Sequence, residues 1–381
     1  MAYILTSLQQ SFHHYLGWSS DPDDVNPQTH SLLLKQPLDI LFQILDFLLP
    51  EYAVAVALTC KLSFRALFPS AKLRLTPRGL QDLLLLLEES LSRHWFFCHG
   101  CTQLHRFSPS WAPGRGSRNQ SLLEPSCRPT TADFGDLVIG SHHVRLVMNA
   151  HLFGPGHGIS LSQLEAEILP KGKGWEMRSE TRILDSQLFL RVEHRLRLIQ
   201  NREQNRRAVK TVCPHHICHH VITHQDRDEL GNRRGRRTPA AGPRQVDELK
   251  PLSDTLPCDS DRSPGSCSVC LTDYITTVVR QRVVHGNGNG SRSGARSGVP
   301  GLELLDIMIV SYHLLGRGRS PFEWEWRVFT TQSAHFPSYL QTRAQRQEEE
   351  PGYAPGEVRR RWDREDVKPA SRSGFRRWLF M

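Results

Sequence analysis

Leu38, Leu41, Ile44, Leu45 and Leu48 recur at spacings of three and four, which places them on one face of a helix. Pro37 stands where that helix would begin, because its fixed φ suits a first turn and its missing N–H is not needed there. Pro50 marks the stop. Glu51 to Lys61, rich in Ala, Val and Leu, predicts a second short helix, and Leu62 to Phe68 a third, closed by Pro69. A longer helix follows, with Thr76 as its cap, Pro77 in its first turn and leucines at 80, 83, 84, 87 and 91 as its stripe. Cys98-His99-Gly100-Cys101 then opens a loop-like stretch running through Pro109, Pro113, Gly114 and Gly116 to Cys127.

In the C-terminal half the period changes. Leu190, Val192, Leu196 and Leu198 alternate with Arg191, Glu193, Arg195 and Arg197, the pattern of a half-buried strand. Tyr274 to Val284, rich in β-branched residues, predicts a second strand and Leu302 to Tyr312 a third, while Phe322, Trp324, Trp326 and Val328 alternate as a fourth. Residues from about 226 to 265, full of Pro, Gly, Arg and Asp, are expected to be a disordered insertion, and about 285–301 a low-complexity loop. Residues 1–30 read as a polar, disordered lead-in and 341–381 as a disordered charged tail. The expected fold is α+β, with a three-helix module at 31–72, a helical connector with a Cys/His loop at 73–135, and an antiparallel β-containing region at 136–340.

Composition narrows this picture. The chain has 381 residues, of which 38% are hydrophobic, so ordered cores are diluted by solvated stretches. The net charge of +9 raises the case for nucleic acid or acidic protein partners. The basic runs, however, lie in Pro/Gly-rich or charged segments, at Arg233 to Arg237 and Arg359 to Arg361, where solvation explains them. The first run also has the form of a nuclear localisation signal. No stretch approaches the roughly 18–20 consecutive apolar residues that span a bilayer. Met1 to Gln10 lacks the basic start and apolar core of a secretory signal. The expected location is the cytoplasm, the nucleus or both.

Residues 32–70 resemble the F-box, on Leu34, Gln36-Pro37-Leu38-Asp39-Ile40-Leu41, Ile44-Leu45, Phe47-Leu48, Ala57-Leu58-Thr59-Cys60-Lys61 and Leu67-Phe68. The family begins with a Leu-Pro-x-Glu-Ile type start; here Gln36 replaces the Leu and Asp39 the Glu. The resemblance implies a non-catalytic adaptor that binds the Skp adaptor and, through it, a cullin-type ubiquitin ligase. By the same resemblance Pro37, Leu38, Ile40, Leu41, Ile44, Leu45, Leu48 and Leu58 would meet that partner. A helical unit of roughly forty residues buries too little apolar surface to be comfortably stable alone, which agrees with a stripe that needs a partner. The alternative is that these leucines are core packing on the helix that starts at Pro77. The Cys-x-x-Cys-x-x-x-His-Arg-Phe stretch, Leu146 to His151 and Cys267 to Tyr274 look like F-box proteins of filamentous fungi, which implies an architecture and no target.

Nine cysteines, four of them in Cys-x-x-Cys pairs, point to metal before disulfides in an intracellular protein. A structural zinc takes four thiolates or imidazoles, and each pair supplies two. Cys98 and Cys101, with His105 and Cys127, form one candidate set. Cys213, Cys267 and Cys270, with His215, His216 or Cys218 as the fourth ligand, form another. The second set would clamp one end of a β-hairpin made by the first two strands, offsetting the entropy of closing its long insertion. Reduced buried thiols are the alternative.

A phosphate-binding glycine loop, a Gly-x-Ser-x-Gly elbow and a His-Glu-x-x-His helix are all absent from the sequence. The leading expectation is therefore a substrate receptor of a Skp–cullin–F-box ligase, acting on an unspecified protein target. The alternatives are a zinc-containing nucleic-acid binder or scaffold, and a Skp-binding protein outside any ligase. Tyr312, Phe322, Trp324 and Trp326 either offer aromatic surface for a target or form the core of the β region.

Overall fold

The computed structural model describes residues 36–59, 63, 75–91, 95–108, 111, 113, 130–135, 137–169, 174–200, 204–205, 215–223, 244–246, 261–282, 303–330 and 341–364. The chain divides into two compact units, residues 1–87 and 88–381. The lead-in, the third expected helix apart from Ser63, most of the 226–265 insertion and the 285–301 loop lie outside the described residues.

In the first unit α1 (Leu38–Asp46) starts after Pro37, and α2 (Pro50–Ala57) has Pro50 at its first position. Asp39 and Glu51 lie in the respective first turns, where a negative charge complements the helix dipole. Ala53, Val54, Ala57 and Leu58 are buried. Helix α3 (Pro77–Ser90) begins as the sequence predicts: Thr76 Oγ1 accepts a hydrogen bond from Gly79 N at 3.0 Å. Leu83, Leu84 and Leu87 form its buried stripe.

The second unit is built on a six-stranded antiparallel sheet in the order β11-β12-β13-β7-β6-β5. Its strands are β5 (Glu167–Ile168), β6 (Glu176–Leu184), β7 (Gln187–Gln200), β11 (Asp261–Ser266), β12 (Thr272–Arg282) and β13 (Glu303–Gly316). Asp185 and Ser186, with φ of +51° and +57°, make the two-residue turn between β6 and β7, a turn whose twist matches that of the strands. Leu188, Leu190, Val192, Leu196 and Leu198 are buried, as the alternation of β7 predicts.

Around this sheet stand the hairpin β1 (Trp95–Cys98) and β2 (Gln103–Arg106), the pair β3 (Thr131–Phe134) and β4 (Leu137–Gly140), and α4 (Ser141–Phe153). A small sheet holds β8 (His215–Cys218), β9 (Val221–Thr223) and β10 (Arg244–Val246). The described residues end in α5 (Trp324–Thr330), α6 (Arg343–Arg346) and α7 (Glu357–Asp363). Strand β13 is buried on both faces over Ile309–Leu315 because alternate residues meet different helices. His313 packs on Phe329 of α5, and Tyr312 on Trp362 of α7.

Several expectations are corrected. The stretch after α3, expected to be loop-like, opens with the β1–β2 hairpin, with Cys98 closing β1 and Cys101 in the turn. The first two predicted strands, β7 and β12, are not a hairpin; β13 lies between them and pairs with both. The predicted fourth strand is α5, whose seven residues are too few for the 3.6-residue period to show; Phe329 is buried beside Val328, which strand alternation forbids. The end of the expected disordered insertion, residues 261–266, pairs with β12 as β11. Part of the charged tail is ordered, since Arg343, Tyr353, Val358 and Trp362 are buried among its charges; 365–381 lie outside the described residues.

Candidate metal centre

The β11–β12 turn, residues 267–271, brings Cys267 and Cys270 beside Cys218 and His220 of the β8–β9 turn. One ligand atom from each lies within 4.8 Å of all the others, an envelope that one ion can span with metal–sulfur distances near 2.3 Å and metal–nitrogen near 2.0 Å. The three thiols are buried, Cys270 at 0% exposure. Backbone geometry is already arranged for an anion: Val269 N and Cys270 N donate to Cys267 Sγ at 3.3 and 3.4 Å. Hydrogen bonds from the Cys218 and Cys270 thiols, against the effect of burial, hold the Cys267 thiol well below its ordinary pKa. Burial drives Cys218 and Cys270 the other way. Three sulfurs and one imidazole are the donor set of a closed structural zinc site, and the residues fit such an ion. The ion would join the two turns across residues 221–266.

A second layer supports the turn. Cys270 Sγ lies 3.1 Å from Thr272 Oγ1, which lies 3.0 Å from His313 Nδ1; His313 Nε2 is 2.8 Å from Ser311 Oγ. Burial lowers the His313 pKa to about 3, so the ring is neutral. From outside, Arg343 N and Ala344 N donate to the carbonyls of Val269 and Ser268 at 3.0 and 3.1 Å. The segment expected to be a disordered tail therefore braces the turn that carries two of the donors.

The other cluster sits on the β1–β2 hairpin. Cys98, Cys101 and His105 offer ligand atoms within 4.8 Å of one another, with Cys101 Sγ 2.8 Å from His105 Nε2. Both cysteines are half-buried. Burial raises the Cys98 pKa, but hydrogen bonds from His105 and from the backbone of Cys101 and Gly100 outweigh it and bring it down to about 6. The hairpin is anchored by Glu88, which accepts from Phe97 N at 2.9 Å, Arg145 Nε at 2.9 Å and Asn149 Nδ2 at 2.7 Å.

Of the sequence-predicted ligands, Cys267 and Cys270 meet in one cluster with Cys218, one of the alternatives for the fourth position, and Cys98, Cys101 and His105 meet in the other. Cys127 and Cys213 lie outside the described residues. His216 is exposed on β8 and is not among the clustered donors; His220, which spacing alone does not single out, takes that place beside Cys218. His215 is held elsewhere, stacked on Trp175 at 4.6 Å and 4.2 Å from the ring of His194. The turn between β8 and β9 makes the choice, and five Cys and His residues within 215–220 give spacing no means to make it.

The residues expected to meet an adaptor lie in the first unit. Pro37, Ile40, Ile44 and Leu48 are exposed, Leu41 and Leu45 are half-buried, and Leu58 is buried instead of displayed. Leu38 lies in α1, next to Pro37. No protein-family model, curated protein or solved structure matches the chain.

Proposed function

We propose that this chain is a non-catalytic F-box-type adaptor. In this reading its N-terminal helices bind the Skp adaptor of a cullin ubiquitin ligase, and its β-rich unit, organised by a structural zinc, presents a protein target. The observation that carries the reading is the apolar face of the first unit. Ile40, Phe42, Ile44, Leu48, Leu49 and Tyr52 are exposed, and Phe47 is 91% exposed. Burying a whole Leu, Ile or Phe side chain is worth roughly 1.5–3 kcal/mol, so covering the exposed part of each contributes about 1 kcal/mol. A face of that size favours a folded protein partner.

The work done is proximity. An adaptor raises the effective concentration of target lysines near a charged conjugating enzyme, and the bond-forming chemistry belongs to other subunits. Cytoplasm and nucleus are the compartments this role implies. The test is co-expression with the Skp adaptor, comparing wild type with an Ile44→Asp, Leu48→Asp double variant by co-purification. Ile44 and Leu48 are 39% and 36% exposed, and circular dichroism of the variant checks that it keeps its fold. Association that the double variant loses supports the reading; a folded wild type that does not associate, or a variant that associates equally, overturns it. Salt-sensitive DNA binding without adaptor association would favour the zinc-containing nucleic-acid binder.

A further inference from the structure

The two Cys/His clusters differ in how a reagent reaches their sulfurs. Cys218, Cys267 and Cys270 are buried, the last at 0% exposure. Cys98 and Cys101 are only half-buried, at the end of β1 and in the turn that joins it to β2. Gly100 is exposed between them, and a side chain there would begin 3.6 Å from Cys98 Sγ, so the glycine leaves that sulfur uncovered. Cys98, His99 and Gly100 also stand on the wall of a cleft of about 110 Å³, room enough for a small molecule to approach.

The turn brings a second thiol and a base to the first. Cys98 Sγ, Cys101 Sγ and one ring nitrogen of His105 lie within 4.8 Å of one another, and Cys101 Sγ is 2.8 Å from His105 Nε2. The backbone holds this arrangement by itself: β1 and β2 pair at four positions, Thr102 N donates to Cys98 O at 2.9 Å, and Thr102 takes a φ of +55°. A disulfide of roughly 2 Å would close the remaining gap across a turn that is already fixed, so it costs little further chain entropy. Partly exposed thiols beside an imidazole take part in exchange, whereas sealed thiols are inert.

We propose that Cys98 and Cys101 are a thiol–disulfide pair, oxidised reversibly by a low-molecular-weight disulfide of the glutathione class. Cys98 Sγ attacks one sulfur of that disulfide, forming a mixed disulfide and releasing the first small thiol, which carries away the Cys98 proton. Cys101 passes its proton to His105 Nε2 and attacks Cys98 Sγ. The Cys98–Cys101 bond forms, the mixed disulfide breaks, and the second small thiol leaves with that proton. The two cysteines lose two electrons and the small disulfide gains them. A disulfide has no thiolate to give a metal, so oxidation and metal binding exclude each other at this hairpin. The pair is separate from the adaptor face, and its failure would leave the adaptor reading standing.

The test equilibrates the full chain with reduced and oxidised glutathione in varying ratio under anaerobic conditions. Remaining thiols are alkylated and the products mapped by mass spectrometry. Wild type is expected to lose alkylation at Cys98 and Cys101 together and to regain it in reduced glutathione, with Cys218, Cys267 and Cys270 unlinked and the circular dichroism unchanged. Cys101→Ser should stop at glutathione on Cys98. His105→Gln should let the mixed disulfide accumulate in a chain whose Cys101 is intact. Cys98 and Cys101 that stay alkylatable at the most oxidising ratio, whether unreactive or held by a metal, would overturn the proposal. So would a bond from either of them to another cysteine such as Cys127, or oxidation that occurs only with loss of fold. Closure at an unchanged rate in His105→Gln would remove His105 from the exchange.

Discussion

Arg343 and Asp273 form a buried ion pair 2.8 Å long, with side-chain exposures of 1% and 2%. Arg343 also donates to the carbonyls of Thr272, Tyr353 and Ala354, at 3.0, 2.7 and 2.7 Å. Asp273 accepts from Ser266 Oγ, Gly356 N and Arg359 N. The pair thus fastens the C-terminal segment to the first residues of β12, directly after the Cys267–Cys270 turn.

Removing one partner of a buried pair strands the other charge. Arg343→Ala is therefore expected to destabilise the protein by about 3–5 kcal/mol in urea unfolding. Arg346→Ala, which breaks the solvent-accessible pair with Glu350 at 28% and 51% exposure, should change stability by about 1 kcal/mol or less. Equal losses from the two variants would mean that the C-terminal segment does not brace the turn.

Thr272 governs how well Cys270 serves as a ligand. A thiolate at Cys270 accepts from the Thr272 hydroxyl, whose oxygen then accepts from His313 Nδ1–H, leaving His313 Nε2 to accept from Ser311. Thr272→Val removes this support with little change of shape. Outer-shell substitutions of this kind weaken metal affinity by about 10–100-fold, and chelator competition measures that loss. Imidazole nitrogen shifts of zinc-loaded wild type should report the Nδ1–H tautomer at His313; the Nε2–H tautomer would contradict the chain of donors.

Acid should unfold the protein earlier than its carboxylates alone require. Burial lowers His143 to about 4 and His194 to about 3, against about 6.5 in the unfolded chain. Between pH 6.5 and about 4 the unfolded state binds protons that the native state refuses, so stability falls as pH falls. Each ring contributes a slope of up to about 1.4 kcal/mol per pH unit. His194→Gln should flatten the stability profile over that window by one such slope. An unchanged profile would mean that His194 protonates in place.

How much of this was legible in the sequence depends on how many neighbours a pattern needs. The stripe of α1, the Thr76 cap and the alternation of β7 each announce themselves within a few residues. Strand β6 is hard to read from sequence because Arg178, Glu180 and Arg182 crowd its polar face and Ser179 and Thr181 are buried among its apolar ones. Helix α4 buries His143, Arg145 and Asn149 with its leucine and valines, which hides its apolar period. The C-terminal helices depend on a few anchors, Tyr353, Val358 and Trp362, set in a run of charges. Cys267 and Cys270 were identifiable from their spacing. Cys218 was legible as one of three alternatives for the fourth ligand, whereas His220 was not, because a turn in a different sheet selects it.

The most direct test is hydrogen exchange on the full chain with and without the purified Skp adaptor. The account predicts a stable complex in which amides of α1 and α2 gain protection while those of β7 and β13 do not change. No complex with a folded chain, or protection that appears only in the β-rich unit, would contradict it.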